Sequence, residues 1–179
     1  MLDFGFYNMD CMDGMKEFPD KYFDLAIVDP PYGIDINKSG RLKKYNDTRK
    51  TWDDNIPEED YFNALFRVSK NQIIWGGNYF YLPPTKCFLI WDKRQPENIS
   101  FASCEFAWTS FNSVAKTFYM SPMIRIKTVF IQRKNQLHCT IGFYQNMQNV
   151  DIKFLTHTLE AQAVLYHAIK TGINMSDLN

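Results

Sequence analysis

Four consecutive residues, Asp29-Pro30-Pro31-Tyr32, have the types and spacing to do chemistry on a planar amine. The amino nitrogen of a nucleobase is a poor nucleophile because its lone pair is conjugated into the ring. A carboxylate that accepts one of its N–H hydrogens lets that pair localise as charge develops. Asp29 supplies such an acceptor, the carbonyl of Pro30 offers a second one in a fixed direction, and Tyr32 offers a flat face for an extruded base. Methylation of an exocyclic amine is the reaction this combination suits. The prolines stiffen it: each lacks an amide hydrogen and pushes the residue before it into an extended conformation.

The element that must position this bracket is the apolar run at 25–28, Leu-Ala-Ile-Val. It is too short for a helix and rich in branched residues, which suits a strand buried on both faces. In open α/β sheets, ligands bind beyond the carboxyl ends of such strands. Residues 4–9 alternate weakly and read as another strand, with a helical turn or two at 11–17 stopped by Phe18-Pro19. A helix opens at Pro57-Glu58-Glu59, with proline and acids in its first turn, and Tyr61, Leu65 and Val68 follow at helical spacing to an end near 70–71. Residues 72–75 and 87–91 are further short strands, and 101–111 reads as a helical turn and strand. Gly76 and Gly77 turn the chain away from the carboxyl end of the strand at 72–75 and allow close backbone approach, with Tyr79 as a second stacking face. The order predicts an α/β fold, a mostly parallel sheet with flanking helices.

Asp-Pro-Pro-Tyr is also the signature of amino-methyltransferases acting on adenine N6 or cytosine N4 of DNA. The chain resembles the phage and prokaryotic adenine-specific branch over 1–122. Asn8-Met9-Asp10-Cys11-Met12, Phe18-Pro19-Asp20, Trp75-Gly76-Gly77-Asn78-Tyr79-Phe80, Trp91-Asp92-Lys93 and Glu105-Phe106-Ala107-Trp108-Thr109 follow in the family's order. The resemblance implies a Rossmann-like methyltransferase fold, S-adenosylmethionine as methyl donor and double-stranded DNA as substrate, in the manner of restriction-modification enzymes. It implies that Asp29, Pro30, Pro31 and Tyr32 form the amino-group site, and that Asp10 and Asp29 contact the cofactor. Composition alone allows Asp10 or Asp13 to be simply a helix cap.

Length and charge bound this reading. The 179 residues fit one domain with a proper core. No apolar run reaches membrane-spanning length and the first twelve residues have no basic start, so a cytosolic protein is expected. The four cysteines, Cys11, Cys87, Cys104 and Cys139, show no paired metal spacing. A formal net charge of zero is unusual for a chain that must displace counterions from phosphates. Placement answers this in part: the polar segment 33–55 carries Lys38, Arg41, Lys43, Lys44, Arg49 and Lys50 directly after the bracket. With Tyr79 these are the candidate nucleic-acid contacts, although charge runs are also common on ordinary solvated loops.

The segment 123–179 does not continue the resemblance. The family's next landmarks would be His-Pro-Thr-Gln-Lys-Pro, then Val-Ala-Leu-Tyr, then an acid and a glycine-rich turn for the methionine part of the cofactor. None is present. Codons formed from the last base of one residue's codon and the first two of the next, starting at Phe130 and Ile131, permit the first landmark, then Val-Ala-Leu-Tyr-Asp-Trp-Leu-Leu. Over 155–165 the same frame permits Asp-Thr-His-Leu-Gly-Ser-Ala-Gly-Ser-Ala. A frameshift between about 121 and 130 is inferred, with a divergent tail as the alternative. Its consequences would be a fold incomplete on the carboxyl-terminal side, an exposed sheet edge beside 25–28, weak or absent cofactor binding, and association through the uncovered face. An amphipathic helix at 164–173 could cover part of that face.

Two rival functions remain open. One is a non-catalytic remnant that keeps a DNA-contacting loop. The other is methylation of cytosine N4 or of RNA, since the bracket recognises an amine more than a particular base; an aspartate at position 29 favours adenine.

Overall fold

The computed structural model describes residues 5–6, 9–34, 55–95, 102–119, 140–145 and 151–156. Their strands are β1 (Gly5–Phe6), β2 (Phe23–Val28), β3 (Ser69–Trp75), β4 (Phe88–Asp92), β5 (Cys104–Thr109), β6 (Lys116–Tyr119), β7 (Thr140–Gln145) and β8 (Asp151–Thr156). Two α-helices accompany them, α1 (Cys11–Lys16) and α2 (Glu59–Val68). The strands form one sheet in the order β1-β7-β8-β2-β3-β5-β4-β6. The architecture is α/β with a mixed sheet.

The mixture corrects the expectation of a mostly parallel sheet. β2 runs parallel to β3 and β8, and β4 parallel to β6, but β5 is antiparallel to both its neighbours, as β7 is to β1 and β8. The reason is connection length. β4 and β5 are adjacent and joined by residues 93–103, short of the crossover of a dozen or more residues that parallel neighbours need. β5 therefore returns beside β4 and inserts between it and β3. No helical turn precedes β5 within 102–109, where one was expected.

β2 is longer than the apolar run that announced it, because Phe23 and Asp24 join the ladder opposite β3. Its alternation buries both faces, as a continuous apolar strand should. Ala26 and Val28 join Met15, Leu65, Val68 and Ile74 in the cluster under α1 and α2. Leu25 and Ile27 are equally buried outside that cluster. Each of the larger aliphatic side chains contributes about 1.5–3 kcal/mol of burial, and Ala26 less.

α2 begins after Pro57 as expected, with Glu59 and Asp60 in its first turn and Tyr61, Leu65 and Val68 buried on one side. It ends earlier than expected, since β3 starts at Ser69 without a linker. The Ser69 hydroxyl donates to the Leu65 carbonyl at 2.5 Å, satisfying a carbonyl of the last turn. Arg67 ties the two helices together: its guanidinium donates to the carbonyls of Met15 at 2.7 Å and Phe18 at 2.9 Å.

The exposed edge expected beside β2 is also not what the structure shows. β8 pairs with β2 over Leu25–Ile27, opposite Phe154–Thr156, and β7 and β1 extend the sheet beyond it. The segment expected to be out of frame thus supplies two strands. The amphipathic stretch at 164–173 and the basic loop residues Lys38, Arg41, Lys43, Lys44, Arg49 and Lys50 lie outside the described residues.

Candidate functional site

Strand direction decides which residues meet. Because β3, β4, β6 and β8 all run the same way as β2, their carboxyl ends lie at one end of the sheet, with the amino end of β5 among them. That end receives the bracket at 29–32, the turn at 76–79, Asp92-Lys93-Arg94, Glu105 and Tyr119.

The bracket leaves β2 directly. Pro30 and Pro31 are buried, while Asp29 and Tyr32 are half-buried. The Tyr32 hydroxyl donates a hydrogen bond to Oδ1 of Asp29. Burial pushes the Tyr32 phenol far above its ordinary value of 10.0, and the charge of Asp29 and the hydrogen bond to it push the same way. Glu105 and Tyr79 add to the shift. The phenol is therefore a firm neutral donor, and Asp29 already accepts from it in the way it would from an amine.

The two rings expected to stack on a base stack on each other. Tyr32 and Tyr79 lie 4.9 Å apart between centroids and 12° from parallel. Tyr79 is 44% exposed, so it is the ring of this pair that presents surface to solvent. Gly76, at φ 66°, explains how the turn after β3 reaches Tyr32. A Cβ built there would stand 2.1 Å from Cε1 of the tyrosine ring, so no side chain fits. At Gly77 a Cβ would stand 2.4 Å from Cβ of Trp108. The close approach anticipated for this pair of glycines is thus made to the chain's own aromatic residues rather than left open for a nucleotide.

A cavity of about 510 Å³ lies beside this group, lined by Ile56, Pro57, Phe62, Phe66, Phe80 and Tyr81 with Glu59 and Asn63. Phe80 is the wall between it and the bracket, with its ring 6.1 Å from Tyr32 and 5.2 Å from Phe62.

Sequence reasoning missed the polar group on the other side of the bracket. Lys93 and Glu105 form an ion pair with side chains 13% and 34% exposed, and the Lys93 ammonium lies 5.1 Å from the centre of the Trp91 ring. Trp91-Asp92-Lys93 and Glu105 both carried the resemblance, but nothing in their spacing says that a hairpin-like return brings them together opposite one another. Trp75 Nε1 is buried without a hydrogen-bond partner at the same end of the sheet.

Asp10 lies on the cap side of the alternatives the sequence left open. It is exposed, and its Oδ1 accepts from the backbone amides of Met12 at 2.8 Å and Asp13 at 3.4 Å, closing the first turn of α1. Asp10 is thus engaged in a cap, and the space beside Gly76 and Gly77 is taken by Tyr32 and Trp108. Among the described residues there is no cluster of three or more His, Cys, Asp or Glu side chains that could hold a metal ion, and no helix long and apolar enough to cross a membrane. No protein-family model matches the chain, and no curated protein matches it either.

Proposed function

We propose that this chain is an amino-methyltransferase of the DNA adenine-N6 type, built on a Rossmann-like core, that retains the grip on a nucleobase amine and is inactive as encoded. The observation that carries the reading is the carboxylate of Asp29 at the end of a buried strand, accepting a hydrogen bond from Tyr32 beside a second, half-exposed ring. Asp29 would exchange the Tyr32 hydroxyl for an N–H of adenine, and the Pro30 carbonyl would take the other. Separation of Tyr32 and Tyr79 would admit the base between two faces. Double-stranded DNA is the partner this implies.

Inactivity follows from the cofactor half. The glycine-rich turn that would approach the charged end of S-adenosylmethionine is absent from the sequence. The same observation favours the second reading, a non-catalytic remnant that binds nucleic acid.

One experiment separates them. The encoded chain and a version restored to the alternative frame after 121 are incubated with tritiated cofactor and duplex DNA, which is then digested to nucleosides. Label on N6-methyl-2′-deoxyadenosine from the restored version, lost in Asp29→Ala while DNA binding persists, is the expected result. Undiminished label in Asp29→Ala would refute the assignment, and no label from either version favours the remnant.

A further inference from the structure

The end of β4 carries two adjacent cations in opposite situations. Lys93 is neutralised by Glu105 and mostly buried. Arg94 is exposed, and the carbon of its guanidinium lies 4.1 Å from the centre of the Tyr119 ring at the end of β6. Among the described residues, no carboxylate forms an ion pair with it.

Its backbone is in the left-handed region at φ 47°, uncommon for a residue with a side chain, and its amide is held by Oδ1 of Asp92 at 2.7 Å. The turn fixes where Arg94 departs from the strand, and the half-exposed Tyr119 ring supports the guanidinium. A ring holds a guanidinium through its electron-rich face without cancelling the charge, and leaves the planar fork of N–H donors available at its edge. Such a fork matches a phosphate.

We propose that Arg94, seated on Tyr119, grips a phosphate of the nucleic-acid strand whose base enters at Asp29. This deepens the amino-group reading and rests on it. β6 stands four strands from β2 in the sheet order. At strand spacing of about 4.8 Å the two sites are about 19 Å apart. The gripped phosphate therefore lies a few nucleotides along the strand from the target base rather than beside it. A chain of zero net charge needs its unpaired cations placed along the path of the strand, and Arg94 is one at the same sheet end as the bracket.

The test is fluorescence anisotropy of labelled duplex DNA with the full chain, titrated at several salt concentrations. Arg94→Gly is the decisive variant, because glycine adopts φ 47° without strain and the fold is not put at risk. It should bind about tenfold more weakly at low salt, with the slope of log affinity against log salt smaller by about one. Arg94→Lys, which keeps the charge but not the fork, should fall between it and wild type. Unchanged affinity and slope in Arg94→Gly overturn the proposal, as does equally tight, Arg94-dependent binding of a polyglutamate peptide. Asp29→Ala, made in the version restored to the alternative frame after 121 so that methyl transfer can be read, distinguishes this failure from that of the methyltransferase reading. Lost methyl transfer in Asp29→Ala with unchanged DNA affinity in Arg94→Gly would remove the phosphate grip alone. Weakened DNA binding in Arg94→Gly with intact methyl transfer in Asp29→Ala would remove the enzymatic assignment and leave the grip.

Discussion

The hydroxyl of Tyr32 donates to the carboxylate of Asp29 three residues before it, so the acid and the ring proposed to hold a substrate hold each other. The bracket is thereby pre-shaped: the acceptor is oriented by a donor of its own, and a ligand must exchange for that donor rather than reorganise the backbone. Tyr32→Phe removes the donor and leaves the stack with Tyr79 in place. A hydrogen bond to a charged acceptor contributes about 1.5–3 kcal/mol when buried. Asp29 and Tyr32 are half-buried, so the expected loss is about 1 kcal/mol. Urea denaturation should show a lower midpoint with an unchanged slope. In the same variant, DNA or free adenine should be captured no less tightly than by wild type, since Asp29 no longer has to release the phenol.

Alkaline pH probes the same pair from the other side. The phenol of Tyr32 is raised above its ordinary 10.0, first by burial and then by the charge of Asp29, so the folded state favours the protonated form. Its contribution to stability is present in full below about pH 10, where folded and unfolded phenols are both protonated. Above that value the unfolded chain can ionise while the folded chain resists, and stability declines as pH rises. Phenolate absorbance should therefore show a late stage, Tyr32 ionising only as the fold opens. In Tyr32→Phe the decline in stability above pH 10 should be shallower. An identical slope in the variant would contradict the assignment of Tyr32 as the group responsible.

Gly76 sets the distance between the turn after β3 and the bracket. Any side chain at φ 66° costs about 1–2 kcal/mol, and here a methyl group would also overlap the Tyr32 ring. Gly76→Ala should destabilise by more than the backbone term alone, about 3 kcal/mol, and should disturb the Tyr32–Tyr79 stack, read by near-ultraviolet circular dichroism. The overlap belongs to the ring. Combining Gly76→Ala with Tyr32→Ala should therefore recover part of the loss, a non-additivity that a double-mutant cycle measures. Strict additivity would mean that the glycine serves only the backbone angle.

The sequence announces what is local and leaves out what depends on return of the chain. Residues 25–28 declare β2 because a short branched run stopped by an acid and two prolines has few other solutions, and Tyr61, Leu65 and Val68 declare α2 through their spacing. The antiparallel insertion of β5 between β3 and β4 is not local. It depends on the 93–103 connection being too short for a crossover, and no residue in it marks that. Tyr119 was missed for the same reason: Lys116–Tyr119 alternates too briefly to read as a strand, and its partner Arg94 lies across the ladder rather than along the chain. Tyr32 and Tyr79 could both be picked out as stacking rings, but not that they would stack on one another. That follows from Gly76 admitting the ring.

Asp10 offers a clean separation of architecture from cofactor chemistry. Its Oδ1 accepts from Met12 and Asp13 at the start of α1, a cap whose removal usually costs about 1 kcal/mol. Asp10→Ala should lower stability by about that amount in the absence of any added cofactor, and Asp10→Asn or Asp10→Ser, which can make the same hydrogen bonds, should restore most of it. A cofactor-binding carboxylate would behave otherwise, because neither substitute carries the charge and stability without ligand would not move. If Asp10→Ala leaves the unliganded urea midpoint unchanged while S-adenosylmethionine stabilises wild type and not the variant, Asp10 belongs to the cofactor rather than to the helix. Restoration by asparagine in buffer alone keeps it as the cap of α1.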